Sequence, residues 1–221
     1  GNKGGRTAGV DGVVPRSIPP ERVRGMLSEL RASVKLGEFH PEPVRQKSIP
    51  KANGKVRSLG IPTMTDRIVQ ASLKLVLEPI FEADFQPSSY GFRPRRRAQD
   101  AIAEIHFYAS RGYVQVFEAD ITACFDEIDH DALMQRVRAR IIDKRVLRLI
   151  RGFLSAVVLS EDGVNRNTYT GTPQGGILSP LLANIALSVV DEHFQRKWDA
   201  LGLQWSRTKH QRAGGATMKM V

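Results

Sequence analysis

A single cysteine, Cys124, stands among the 221 residues, which excludes an internal disulfide framework and any cysteine-based zinc site. No run of eighteen or more apolar residues is present, so no segment is long enough to span a bilayer as a helix. The N-terminus lacks the basic-then-apolar order of a signal peptide, and no internal repeat is visible. The five histidines, His40, His106, His130, His193 and His210, are scattered without ligand spacing and read as surface or capping residues. These absences suit a soluble protein of a reducing, intracellular compartment. Acidic residues are also in deficit: 23 Asp and Glu face 33 Lys and Arg, leaving a net charge of +10 and a pI near 10.1. Such a surface attracts polyanions, and nucleic acid is the first partner to consider.

What is present suffices for a core. With 41% hydrophobic residues, the length suits one large domain or two closely packed subdomains. Residues 1–20 are rich in Gly and Pro and read as an irregular segment. Val23, Met26, Leu27 and Leu30 recur at helical spacing between Glu21 and about Lys35. KSIPKANGKVRSLGIPT predicts a basic β-hairpin turning at Asn53-Gly54. Asp66 is expected to cap a helix carrying Val69, Leu73, Val76 and Ile80 on one face, bent or ended by Pro79. After the loop SSYGFRPRRR, Ala98, Ile102, Ile105 and Ala109 mark a further helix.

YVQVFEAD alternates as a strand that delivers Asp120 at its end. Asp129 and Asp143 are expected to cap two helices, buried through Leu133, Val137 and Ile141 and through Val146, Leu149, Ile150 and Phe153. SAVVLSEDGVNRNTYTG predicts a second hairpin turning at Asp162-Gly163. The loop TPQGGILSP leads to a long helix started by Ser179 and Pro180. Arg207–Gly215 reads as a basic loop and ATMKMV as a strand.

The sharpest chemistry lies in EADITACFDEIDH. A carboxylate at a strand end suits Mg²⁺, which takes hard oxygen ligands from one or two carboxylates, phosphates and water. Cys124 has no paired base nearby in sequence and reads as a small buried residue.

Five blocks in order carry a resemblance. ADITACFDEIDH resembles polymerase motif A of reverse transcriptases, and TPQGGILSPLLANIAL resembles motif B in group II intron-encoded enzymes. IPKANGKVRSLGIPTMTDR is similar to the family's fingers motif, SSYGFRPRRRAQDAI to the block after it, and NKGGRTAGVDG to its N-terminal extension. The resemblance implies an α+β fold: an antiparallel palm sheet carrying Asp120 and packed with helices, and a fingers subdomain around the hairpin. It divides the chain into an extension (1–20), fingers (21–112) and a partial palm with inserted fingers elements (113–221).

The resemblance also implies site roles. Asp120 matches the first metal-binding and catalytic aspartate, with the carbonyl of Ile121 as companion ligand. Phe125 matches the gate that excludes a ribose 2′-OH by steric clash. Lys51 and Arg57 match the cations that grip a nucleoside triphosphate, with Lys47 and Lys55 as substitutes. Gln174 and Gly175 match the turn that packs against nucleotide and template. Arg93, Arg95, Arg96 and Arg97, with Lys3 and Arg6 in the extension, suit contacts with template phosphates.

The implied function is an RNA-directed DNA polymerase of a group II intron, extending a DNA or RNA primer with deoxynucleoside triphosphates on an RNA template through two Mg²⁺ ions. It would also bind the intron RNA and assist splicing and mobility. The implied location is bacterial cytoplasm or an organelle, in nucleoprotein, with no membrane. The alternatives are an RNA-binding splicing maturase without essential polymerase activity, and a CRISPR-associated or diversity-generating reverse transcriptase. In the family, further metal aspartates lie in a Tyr-x-Asp-Asp hairpin after a strand like ATMKMV. The 221 residues alone are therefore expected to be inactive and, through an open sheet edge, to self-associate.

Overall fold

The computed structural model describes residues 7–50, 54, 56–160, 163–166, 169–172 and 175–200. Six helices and four strands follow in the order α1 (Pro20–Leu36), β1 (Val44–Pro50), β2 (Val56–Ile61), α2 (Met64–Glu82), α3 (Ala98–Ala109), α4 (His130–Arg138), α5 (Lys144–Leu154), β3 (Val158–Leu159), β4 (Asn165–Arg166) and α6 (Ser179–Ala200). The mixture of helices and sheet is the α+β class expected.

The hairpin forms as predicted. β1 and β2 pair antiparallel from Arg45 opposite Ile61 to Pro50 opposite Val56, with Gly54 at φ +77° in the turn. β3 joins the other edge of β1 in parallel, and β4 closes the sheet antiparallel to β3. This parallel pairing was not legible locally, because it links residues more than a hundred positions apart.

The core is helical. Leu73, Leu77 and Phe81 of α2 pack with Leu133 and Val137 of α4, Ile150 and Leu154 of α5, and Leu181, Leu182 and Ile185 of α6. Asp129 caps α4 by accepting from the Ala132 N–H at 2.7 Å, and Asp143 caps α5 through the N–H groups of Arg145 and Val146. Both caps match the expectation, since a side-chain oxygen satisfies backbone donors that a helix start leaves unpaired.

Several expectations fail for identifiable reasons. Thr63 caps α2, and Asp66, expected in that role, lies one turn in with its carboxylate buried. Pro79 does not end α2, which runs on to Glu82. The buried face of α2 comprises Val69, Leu73, Leu77 and Phe81, so Val76 is left 62% exposed. Ile102 and Ile105 of α3 point largely to solvent. The strand expected over YVQVFEAD is not formed: residues 113–121 pair with no strand among the described residues, leaving Val114, Val116 and Phe117 exposed. Alternation fits a strand only when a neighbour supplies its hydrogen bonds, and the antiparallel palm sheet expected to carry Asp120 is not found among the described residues. ATMKMV lies outside them.

Candidate functional site

Two loop segments meet the turn that follows Asp120, one bearing Phe92 and one formed by residues 170–172. The turn is closed by the N–H groups of Asp126 and Glu127 donating to the Ala123 carbonyl at 2.8 and 3.0 Å. Ala123 adopts φ +51°, and the other non-glycine residues with positive φ among the described residues are Phe92 and Arg95 in the neighbouring loop. Backbone held in this sparsely populated region clusters where surrounding structure fixes a functional loop.

The segment before the glycine-rich loop clamps this turn through its backbone. Gly171 N–H donates to Ile128 O at 2.8 Å, Thr172 N–H donates to Phe125 O at 2.7 Å, and Thr170 Oγ1 donates to Asp126 O at 3.1 Å. His130, 5% exposed, donates from Nε2 to Gly171 O at 2.6 Å. Gly171 has φ +79°, and a Cβ there would fall 2.6 Å from Asp126 O and 2.7 Å from Phe125 O, so only glycine lets the two backbones touch. Phe125 is half-buried, its ring edge-on to Phe92 at 6.3 Å.

Gly175 extends the same logic to the sheet. At φ +116°, its Cβ would sit 2.4 Å from Gly60 O on β2, the strand whose backbone also carries Arg57. Gln70 of α2, 5% exposed, secures the following residues by accepting from the N–H groups of Ile177 at 2.8 Å and Leu178 at 3.4 Å. Phe125, Gly175 and the Arg57 strand are thus gathered by one connected set of backbone contacts. Lys51, Lys55, Gln174, Lys3 and Arg6 lie outside the described residues, as does the side chain of Arg57. Lys47 is exposed on β1.

Asp120 is exposed, and Ile121 beside it is 53% exposed. Burial pushes the Cys124 thiol above its usual range, and the Asp120 and Asp126 carboxylates add to that push. Cys124 is half-buried, where the sequence reading expected a buried residue. Asp120 and the Ile121 carbonyl offer hard oxygen ligands of the kind a divalent cation takes. No three His, Cys, Asp or Glu side chains converge among the described residues, so they supply part of a two-ion donor set only.

The arginine-rich loop divides by role. Arg93, expected on a template path, turns inward: its guanidinium meets the Glu82 carboxylate at 2.7 Å and donates to the carbonyls of Gln86 and Ser89 at 2.6 and 2.7 Å. Burial leaves it no room for an external phosphate, so it braces the loop. Arg96 donates to Pro87 O and stacks on Tyr90, and Arg97 pairs with Asp100. Arg95 remains exposed, with no ion pair or hydrogen bond among the described residues.

The N-terminal segment packs on the same region. Gly9 lies against Thr63, where a Cβ would come within 2.6 Å of Thr63 Cα, and Arg67 donates to Pro62 O and Thr7 O. Below them, Asp66 accepts from the Glu42 N–H at 3.3 Å, and desolvation raises its carboxyl from 3.8 to about 6. Asp66 and Thr172 line one small cavity of about 20 Å³.

Gly171, Thr172, His130 and Gln70 were not anticipated. A glycine before a motif, or one polar residue on an apolar helix face, carries no local signal of the distant backbone it meets.

The family profile described as "Reverse transcriptase (RNA-dependent DNA polymerase)" matches residues 49–210. The chain is 40% identical over 202 residues to "Protein YkfC" of Escherichia coli (strain K12), which covers 89% of this chain and 52% of that protein. It is 41% identical over 194 residues to "Group II intron-encoded protein LtrA" of Lactococcus lactis subsp. cremoris, covering 86% and 31% respectively. The chain thus spans about half of one relative and a third of the other. Among solved structures, the "Partial Cas6-RT-Cas1--Cas2 complex" matches with TM-score 0.53 and 26% identity over 81% of this chain and 31% of that one. Telomerase from Candida albicans matches with TM-score 0.52 and 14% identity over 83% and 40%, a likeness of fold alone.

Proposed function

The chain belongs to the reverse transcriptase (RNA-dependent DNA polymerase) family, in its group II intron-encoded branch, and from that premise we propose that the full-length protein copies RNA into DNA. A primer hydroxyl would attack a deoxynucleoside triphosphate opposite an RNA template, and the intron's own structured RNA would be a further partner in splicing and mobility. The observation that carries the reading is the clamped turn: Gly171 and Thr172 seat the Phe125 backbone while Gly175 rests on β2. That arrangement supports the reading because the residue proposed as sugar gate and the strand of the proposed triphosphate cation contact the same stretch of chain, residues 171–175.

Family membership implies a divalent metal ion, which we assign as Mg²⁺, with Asp120 and the Ile121 carbonyl as ligands; bound there, it would offset charge on the phosphates. The chain's own residues position the rest. Phe125, its backbone held by Thr172 and its ring edge-on to Phe92, would clash with a 2′-OH, which favours deoxynucleotides. Arg57 and Lys51 would meet the triphosphate, Gln174 and Gly175 the nascent base pair, and Arg95, Lys3 and Arg6 the template backbone. No helix among the described residues is long and apolar enough to cross a membrane, and we place the protein in bacterial cytoplasm or an organelle, with its RNA.

A CRISPR-associated role is the second reading. It rests on the Cas6-RT-Cas1--Cas2 likeness at 26% identity, and the 41% identity to an intron-encoded protein favours the first. Mg²⁺-dependent extension of a primer on an RNA template by the full-length protein tests the polymerase reading.

A further inference from the structure

Half of the chain's net charge is concentrated on the two helices that follow the turn described above. Residues 130–154, which form α4, α5 and their connection, hold seven Lys and Arg against two Asp. Four of the cations are committed to acidic partners: Arg136 to Glu192, Arg140 to Asp84, Arg145 to Asp143 and Arg151 to Asp131. The other three, Arg138, Lys144 and Arg148, have no ion pair or hydrogen bond among the described residues. All three line one cleft of about 760 Å³ between the two helices, with Arg151 beside them.

The fold does not account for this grouping. Lys144 opens α5, where a positive charge opposes the helix dipole, and the acid beside it, the N-cap Asp143, is paired with Arg145. Ile142, 89% exposed, stands in the same cleft and contributes nothing to the core.

Resting on the reading above that the protein works on a structured RNA, we propose that this cleft docks the backbone of double-helical RNA. Phosphate oxygens suit cations that no protein acid has claimed. Lys144 and Arg148 fall at i and i+4 on a rigid helix, one turn and roughly 6 Å apart, a spacing that fits a backbone of fixed geometry, and Arg151, paired with Asp131, follows a turn further on. No aromatic residue lines the cleft, so it lacks the stacking platform on which single-stranded readers depend. Duplex RNA is instead recognised through shape, phosphates and 2′-hydroxyls, with the exposed Ile142 in reach of ribose.

The test is fluorescence anisotropy of a labelled RNA duplex of about 20 base pairs, titrated with the 221-residue chain at rising potassium chloride. The R138A/K144A/R148A variant is expected to bind about tenfold or more weakly, with a salt slope shallower by about 2 to 3. Each single variant should lower the slope by about 1 and, being a surface change, leave the circular dichroism spectrum unaltered. R22A/R24A/R31A, with the same charge loss on exposed positions of α1, should bind like the native chain. Equal loss in both triple variants would overturn the assignment to this cleft. Equal loss of single-stranded RNA binding would overturn duplex as the ligand, and equally effective competition by polyglutamate would overturn RNA as the partner. Binding is read without synthesis, so failure of the cleft leaves Asp120-dependent extension untouched, and failure of Asp120 leaves duplex binding untouched.

Discussion

Gly171 is the residue on which the site's geometry turns, because two backbones meet where any side chain would stand. Gly171→Ala combines a positive φ with contacts under 2.8 Å to Phe125 O and Asp126 O, and is expected to destabilise the protein by about 2–4 kcal/mol in urea denaturation. A shift below about 0.5 kcal/mol would contradict the close approach. Asp66 makes a second prediction. Its folded-state pKa of about 6 lies above the ordinary 3.8, so its stabilising contribution is complete below pH 4 and is lost as pH rises through 6. Asp66→Asn keeps an acceptor for the Glu42 N–H and cannot ionise. The variant should match the native protein near pH 4 and exceed it by about 1–3 kcal/mol above pH 7. Parallel stability profiles from pH 4 to 8 would contradict the burial argument.

Among the elements, α2 joins the sheet side of the molecule to the glycine-rich loop, and Gln70 makes the join. Gln70→Ala leaves the Ile177 and Leu178 donors without their acceptor and is expected to cost about 2–3 kcal/mol, measured by chemical denaturation. The helices were legible in the sequence through their own periodicity, and α4 and α5 also through their caps Asp129 and Asp143. The β1–β2 hairpin was legible through Asn53-Gly54. What escaped was set by distant partners. The apolar face of α2 was misread by one position at Val76 because Leu77 and Phe81 are selected by α4 and α6. YVQVFEAD has strand character but no paired neighbour among the described residues. Arg93 reads as a phosphate ligand in a run of arginines, and only folding reveals the Glu82 carboxylate that claims it.

At the scale of the whole molecule, the proposals assign different purposes to two basic segments of the sequence. The hairpin, with Arg57 on β2, faces the clamped turn, whereas the α4–α5 face lies on elements that contribute the helical core. A nucleotide site and an RNA-docking face on separate elements would allow the protein to hold a structured RNA while copying a strand. The blocks that identified the family in the sequence are those the structure draws together: the Phe125 turn, the Gly171–Leu178 segment, β2 and the loop bearing Phe92. Their roles on nucleic acid reside in chemistry that only a reaction reveals. The most direct measurement is primer extension on an RNA template with Mg²⁺ by the full-length protein and its Asp120→Ala variant, with RNA affinity measured alongside. Asp120 is exposed and supports no packing, so the variant should fold and bind RNA normally while extension falls at least about 100-fold. Extension undiminished by the substitution would contradict the assignment of Asp120 and the mechanism built on it.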